Sequence, residues 1–115
     1  MDRIFLILIL SFFLFSCANR SERFYFGNYS DAEKHYNKGE YEKAIEEYQS
    51  YIKENPEGQM AVISLYYIAK SHVALGQIQE AKSIYQDIIT KYPDTVWANF
   101  SKTQLEELAK QAGNG

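Results

Sequence analysis

The sequence predicts an all-α fold, a short α-solenoid of two helix pairs followed by a C-terminal capping helix. Three observations predict it. The chain repeats itself at an offset of 37 residues, apolar side chains recur with helical spacing inside each unit, and no segment alternates with the period of two that strands show. The offset places identical residues in register: Ala32 on Ala69, His35 on His72, Gly39 on Gly76, Ala44 on Ala81, Tyr48 on Tyr85, Ile52 on Ile89 and Pro56 on Pro93.

Each unit reads as two helices joined by a glycine and closed by a proline. In the second unit, "MAVISLYYIAKSHVAL" forms the first helix, Gly76 stops it in the left-handed conformation, and "IQEAKSIYQDIITKY" forms the second helix before Pro93. The first unit has the same layout around Gly39 and Pro56. The chain therefore predicts four helices in two similar pairs.

A fifth helix is predicted over "TVWANFSKTQLEELAKQA". Asp94 or Thr95 is its expected N-terminal cap, since both side chains accept hydrogen bonds from free backbone N–H groups. Its apolar residues fall on one side, which is typical of a helix that covers the end of a core. These residues are Trp97, Phe100, Leu105 and Leu108.

The spacing within the units resembles the second half of a tetratricopeptide repeat (TPR). Gly39, Ala44, Tyr48 and Pro56 follow this pattern, and their equivalents 37 residues later follow it again. The resemblance covers about residues 29–112, with a period of 37 in place of the usual 34 and polar residues at positions 28 and 31, where apolar ones are usual. The long period is similar to that of cell-envelope TPR proteins, such as the outer-membrane β-barrel assembly lipoprotein and the Tol-Pal coordinator.

The resemblance implies that the first helix of each pair lines a groove that binds a partner protein. The positions that face it, called the predicted groove here, are Tyr29, Glu33, Tyr36 and Asn37 in the first unit and Tyr66, Lys70, Val73 and Ala74 in the second. Exposed tyrosines suit binding because they offer a large contact area at a low cost in rotamer entropy. The alternative, that these tyrosines only pack between helices, stays open.

No catalytic or metal-binding pattern is present. His35 and His72 occupy the equivalent position where the TPR motif has an aromatic between its two helices, which favours partly buried histidines over metal ligands. Motifs such as H-E-x-x-H and G-x-S-x-G do not occur, and the carboxylates of "EYEKAIEE" alternate with lysine on a solvated face. We expect no enzyme activity, no cofactor, no metal and no small-molecule substrate.

The N-terminal segment has the layout of a secretory signal peptide. A basic residue, Arg3, precedes the apolar run Ile4 to Phe15, which at about 1.5 Å per residue is too short to cross a membrane. The alternative is a buried N-terminal helix. The segment "LFSC" then resembles the lipobox of bacterial lipoproteins, in which the leader is removed and the cysteine, here Cys17, receives fatty acids such as palmitate. The other interpretation of Cys17 is an inert residue of the leader.

These patterns predict residues 1–16 as a lipoprotein signal peptide, 17–27 as a lipidated tether and 28–112 as the helical domain. The net charge of −3, without a cluster of Lys and Arg after Arg23, argues against nucleic-acid binding. Cys17 is the single cysteine, so the domain has no thiol for a disulfide.

We therefore expect a lipid-anchored adaptor for protein–protein interaction in the bacterial cell envelope, with an envelope protein or a peptide segment as its partner. The resemblance to bacterial lipoproteins implies the outer membrane, facing the periplasm, because Ala18 and not aspartate follows Cys17, and outer-membrane assembly is one role that fits. A maintenance factor of the Tol-Pal or secretin-pilot type is an alternative. A small envelope hydrolase or ligand carrier is a second alternative.

Overall fold

The computed structural model describes residues 26–114, and within this range the chain forms five α-helices and no strand. Each helix packs against the next one in the chain, and α3 also touches α5. The arrangement confirms the predicted all-α solenoid of two helix pairs and a last helix. The helices are α1 (Asn28–Asn37), α2 (Tyr41–Glu54), α3 (Gln59–Ala74), α4 (Ile78–Lys91) and α5 (Val96–Gly113).

Alanines lie where the helices cross. Ala32 of α1, Ala44 of α2, Ala69 of α3 and Ala81 of α4 are all completely buried, as the repeat predicts. Packed helices approach to about 8 to 10 Å, which leaves space for a methyl group but not for a larger side chain. The small residues of the repeat therefore set the distance between the helices.

The turn inside each helix pair is the same hydrogen-bonded motif. Gly39 and Gly76 both have a φ of +77°, a left-handed conformation that glycine adopts without a Cβ penalty. The N–H of Glu40 donates to the carbonyl of His35 at 2.9 Å, and the N–H of Gln77 donates to the carbonyl of His72 at 2.8 Å. These bonds satisfy carbonyls that the helix end leaves free, so both turns reverse the chain in the same way.

The last helix begins where the sequence predicts. Thr95 is its N-cap, and its hydroxyl accepts a hydrogen bond from the N–H of Ala98 at 3.2 Å while donating to the carbonyl of Tyr92 at 2.7 Å. Ala98, Ser101 and Leu108 are its buried residues. The helix thus closes the core that α3 and α4 form.

The N-terminal predictions concern residues before the described range. The signal peptide, Cys17 and most of the tether, residues 17–25, lie outside the described residues. Within residues 26–114, none of the helices combines the length and the apolar character needed to cross a membrane.

Candidate interaction surface

The predicted groove residues lie on α1 and α3 with the i, i+4, i+7, i+8 spacing that places side chains on one side of a helix. Their exposure differs. Glu33, Asn37 and Ala74 are exposed, whereas Tyr29, Tyr36, Lys70 and Val73 are partly buried and Tyr66 is buried.

Tyr66 is the position at which the expectation of an open tyrosine is wrong. The residue keeps only 7% of its surface exposed. The ring lies between Tyr85 of α4, with centroids 5.8 Å apart, and Trp97 of α5, with centroids 5.2 Å apart. Tyr66 therefore belongs to the core.

Tyr36 and Tyr29 take part in similar contacts but keep more of their surface. Tyr36 meets Tyr67 of α3 edge to face at 5.1 Å, and Tyr29 meets Tyr48 of α2 at 5.8 Å. Both rings are partly buried. Tyr29 and Tyr36 thus pack between helices and are also partly exposed. Both interpretations of the groove tyrosines, packing and binding, therefore remain compatible with these two residues.

The ring contacts form one connected network that includes all five helices. Neighbouring centroids lie 5.1 to 6.5 Å apart, mostly in the edge-to-face or tilted geometry that aromatic pairs prefer. The members are Tyr29, Tyr36, Tyr41, Tyr48, Tyr51, Tyr66, Tyr67, Tyr85, Trp97 and Phe100.

The part of this network that crosses α1, α3 and α5 is called the aromatic face here, and it consists of Tyr36, Tyr67, Tyr66, Trp97 and Phe100. Phe100 is 43% exposed although its ring is 6.2 Å from Tyr66, and Val96 one turn earlier is 52% exposed. An exposed phenylalanine beside a cluster of packed aromatic side chains offers apolar contact to a second molecule. The open end of the aromatic face is therefore on α5.

The sequence did not predict that three of these five residues belong to this surface. Trp97 and Phe100 were expected only on the apolar side of a capping helix, and Tyr67 was not singled out. The adjacent pair Tyr66 and Tyr67 could have drawn attention to Tyr67, because adjacent side chains on a helix point about 100° apart and so can contact different neighbouring helices. Tyr66 contacts α4 and α5, while Tyr67 contacts α1 and α2 and also Trp97 of α5, at a centroid distance of 6.5 Å.

Charged groups lie at the edge of the aromatic face. The Nζ atom of Lys70 is 5.9 Å from the centroid of the Tyr66 ring, within the range of a cation–π contact. Glu33 occupies the equivalent position on α1 and is exposed. The surface therefore combines apolar rings with charged groups of both signs.

Burial raises the pKa of five tyrosine hydroxyls. For Tyr29 the pKa rises to about 12, because burial disfavours the phenolate and the nearby Glu33 carboxylate repels it. The direction is the same for Tyr36, Tyr48, Tyr66 and Tyr85. At neutral pH these side chains are uncharged, so they act as apolar rings with hydrogen-bonding hydroxyls.

The two histidines belong to the turns. The Nδ1 atom of His72 is 2.6 Å from the amide oxygen of Gln77, and Nδ1 of His35 is 3.5 Å from the Glu40 carboxylate, too far for a strong hydrogen bond. The Lys43 ammonium, which donates to Glu40 at 3.2 Å, and the nearby His35 lower the pKa of the Glu40 carboxyl. Within residues 26–114, no group of three or more His, Cys, Asp or Glu is placed to hold a metal ion.

A family model described as the tetratricopeptide repeat matches residues 32–58 and 64–95, just over half of the chain. The chain belongs to the tetratricopeptide repeat family. TPR repeats generally mediate protein–protein interaction, and the TPR fold is typically a non-enzymatic interaction module. A comparison with curated proteins finds no match to this TPR chain.

Proposed function

We propose that this TPR protein is a lipid-anchored adaptor that binds a partner protein in the bacterial cell envelope. The observation that carries the binding role is the exposed end of the aromatic face, where Phe100 is 43% exposed beside the packed ring of Tyr66. Apolar side chains exposed next to a rigid, buried cluster resemble the centre of protein interfaces, where aromatic residues supply most of the binding energy.

The anchor is proposed from the N-terminal sequence. The apolar run Ile4 to Phe15 followed by "SC" supports export and lipidation at Cys17. Two or more acyl chains hold a protein on a bilayer far more firmly than one. The helical domain would then act close to the membrane, joined to it by a tether of about ten residues.

The partner is proposed as another envelope protein or a segment of one. Ala18 supports the outer membrane as the site of the anchor, with the domain in the periplasm. The long repeat period supports a role in an envelope assembly, such as outer-membrane assembly. In a role in envelope maintenance, the same surface of this protein would bind a different complex.

The anchor is tested by detergent phase partition. The full chain should partition with the detergent and incorporate labelled palmitate, whereas Cys17→Ala should do neither. Ser11→Ala, a substitution inside the leader, is the matched control and should behave as the unchanged chain. If Cys17→Ala still loses its leader and follows the detergent, the protein is not anchored through this thiol.

The binding surface is tested by photo-crosslinking in cells. A photoreactive residue at position 100 should capture the partner, while one at position 102, exposed two residues further along the same helix, should capture much less. Phe100→Ala should then weaken binding and should reduce the rise in melting temperature that the captured partner gives to the TPR protein. Equal capture from positions 100 and 102 would place the interface elsewhere.

A further inference from the structure

The exposed large hydrophobic residues lie at the beginnings of two helices. Among residues 26–114 these are Phe26, which is 51% exposed, Val96, which is 52% exposed, and Phe100, which is 43% exposed. Phe26 comes directly before Gly27, the N-cap of α1, and Val96 is the first residue of α5. Phe100, one turn further along α5, belongs to the aromatic face, whereas Phe26 and Val96 do not.

The first and third helices begin at the same edge of the solenoid. Tyr29 at the start of α1 contacts Tyr51 near the end of α2, with ring centroids 5.6 Å apart. Tyr36 at the end of α1 contacts Tyr41 at the start of α2, with centroids 5.5 Å apart. α1 and α2 are therefore antiparallel. Since only the short loop 55–58 joins the end of α2 to the start of α3, α3 begins at the edge where α1 begins.

An open cleft shows that α5 begins at this edge as well. The cleft has a volume of about 250 Å³ and is lined by residues Gly58, Gln59, Val62, Tyr92, Thr95 and Trp97. Gln59 is the first residue of α3, and Thr95 is the N-cap of α5. The beginnings of α1, α3 and α5 thus form one edge of the molecule. It is called the tether edge here, because the N-terminal segment joins it at Phe26.

The opposite edge of the solenoid is polar. It consists of the turns inside the helix pairs, residues 38–40 and 75–77, and of the end of α5. Lys38 and Gln77 are exposed there, whereas Leu75 is partly buried against the core. None of the three exposed hydrophobic residues lies at this edge. The two edges therefore differ in the apolar area that they offer.

The proposed anchor also favours the tether edge. Nine residue steps separate Cys17 from Phe26, and a fully extended chain covers at most about 30 Å in that number of steps. α3, with 16 residues, is about 24 Å long. The tether edge can therefore lie directly on the bilayer that holds Cys17, whereas the opposite edge reaches that bilayer only if the N-terminal segment spans most of its maximum length.

The side chains of the tether edge suit the surface of a bilayer. Trp and Tyr are enriched where acyl chains meet headgroups, because each ring has an apolar body and one polar atom. Trp97 and Tyr92 are partly buried in the cleft, and Phe26 and Val96 add exposed apolar area at the same edge.

Charge does not decide the contact. The exposed charged residues near the tether edge have both signs, and they are Lys53, Glu54, Glu57, Lys91 and Asp94. A basic cluster, which attracts anionic lipids, is not present among these residues. The apolar side chains are therefore what this edge offers to a lipid surface.

We propose that the tether edge rests on the bilayer surface, with Phe26 and Val96 inserted among the lipid headgroups and the helices directed away from the membrane. The inference rests on the proposed function, since it assumes the anchor at Cys17. The occupant of this edge is a lipid surface, and the aromatic face stays available to the partner protein.

The fluorescence of Trp97, the single tryptophan of the chain, tests this orientation. The full chain, anchored through Cys17, is placed in nanodiscs of uncharged lipid with or without bromine atoms on the acyl chains close to the headgroups. Bromine quenches a tryptophan that it contacts, so the emission of Trp97 should be lower in the brominated nanodiscs. The matched control combines Trp97→Phe with Lys38→Trp, which moves the indole to the opposite edge, and should show no such loss.

Phe26→Ser together with Val96→Ser should reduce the quenching of Trp97 by roughly half or more, because the edge loses the apolar area that insertion removes from water. Both side chains are exposed, so the helix content should stay unchanged in circular dichroism. Lys38→Ser together with Gln77→Ser, at the opposite edge, is the control pair and should preserve the quenching. Equal quenching at positions 97 and 38, no quenching at position 97, or quenching that survives the first pair of substitutions would overturn the inference.

The proposed function fails by different results. If Cys17 takes up no palmitate, the anchor and this orientation are both wrong. If crosslinking from position 100 captures no more than crosslinking from position 102, the partner surface is wrong while the orientation stands. If Cys17 is lipidated and Trp97 is not quenched, only the orientation is wrong.

Discussion

Tyr36 and Tyr67 meet edge to face, with ring centroids 5.1 Å apart, although they belong to different helix pairs of the solenoid. The contact joins α1 to α3 directly. It therefore couples the first TPR unit to the second through side chains that the repeat pattern does not place in register.

A double-mutant cycle should detect this coupling. Tyr36→Leu and Tyr67→Leu together should destabilise the protein by about 0.5 to 1.5 kcal/mol less than the sum of the single substitutions, which is the usual energy of an aromatic pair beyond its buried area. The measurement is urea unfolding followed by circular dichroism. Tyr36→Leu combined with Tyr92→Leu, a pair without a ring contact between them, should be additive.

Ala81→Leu should lower the free energy of unfolding by roughly 1 to 3 kcal/mol, because Ala81 is completely buried at a helix crossing and has no space for a larger side chain. Glu80→Leu, at the exposed neighbouring position, should change stability much less. Thermal and urea unfolding of the two variants give the comparison. If Ala81→Leu lowered the free energy of unfolding no more than Glu80→Leu does, α3 and α4 would lie far enough apart to accept a leucine at this position.

Gly76→Ala should destabilise the turn by about 1 to 2 kcal/mol, because a residue with a Cβ must then adopt a φ of +77°. The cause is backbone strain and not a clash, since a Cβ at Gly76 would meet no heavy atom within 4 Å. Gly113→Ala, also without a near atom but in a helical conformation, is the control and should be neutral or stabilising. Calorimetry should show a lower melting temperature for the first variant alone.

Tyr85→Phe should leave stability unchanged or raise it slightly. The Tyr85 ring is completely buried, and its hydroxyl has no hydrogen-bond partner among the described residues. Removing a buried polar group without a partner relieves a desolvation cost. Tyr85→Ala, which removes the ring as well, should cost about 3 to 5 kcal/mol. A loss above about 1 kcal/mol for Tyr85→Phe in urea unfolding would show that the hydroxyl is hydrogen-bonded in solution.

The free energy of unfolding should fall at alkaline pH. The five tyrosines with raised pKa values keep their protons in the folded state after the unfolded chain, with an ordinary value of 10.0, has begun to lose them. Their contribution is therefore complete below about pH 10 and is lost as the pH rises toward about 12, the pKa of folded Tyr29.

Absorbance at 295 nm and circular dichroism, recorded together during a base titration, test this expectation. Part of the tyrosine signal should appear only as helix content is lost, and Tyr29→Phe should reduce the slope of stability against pH. Ionisation of all tyrosines near pH 10 with the helices intact would contradict the burial of these rings.

The architecture could be predicted because the signals are local and repeated. Glycine at the turn, alanine at the crossing and the helical spacing of apolar residues each act within a few residues, and the second unit repeats the first. All four helix-crossing alanines and the two glycines of the turns inside the helix pairs, Gly39 and Gly76, lie where the repeat puts them.

The surface was harder to predict because exposure depends on neighbours that the repeat does not specify. Tyr67 corresponds to Ser30 and Gln104 in the other units, so register gave no reason to select it. Tyr66 is buried because two large rings of α5, at positions 97 and 100, lie against it, whereas the equivalent positions of the preceding unit hold Met60 and Ile63, which are not aromatic. Side chains that differ between units decide which part of an aromatic surface stays open.

The packing of each helix on the next one in the chain has a consequence for how the protein folds. Most of its contacts join residues that are close in sequence, so the polypeptide has a low contact order and loses little loop-closure entropy before native contacts form. Proteins of this kind fold within microseconds to milliseconds. A newly synthesised chain would therefore have little time in which its many tyrosines are exposed to other unfolded chains.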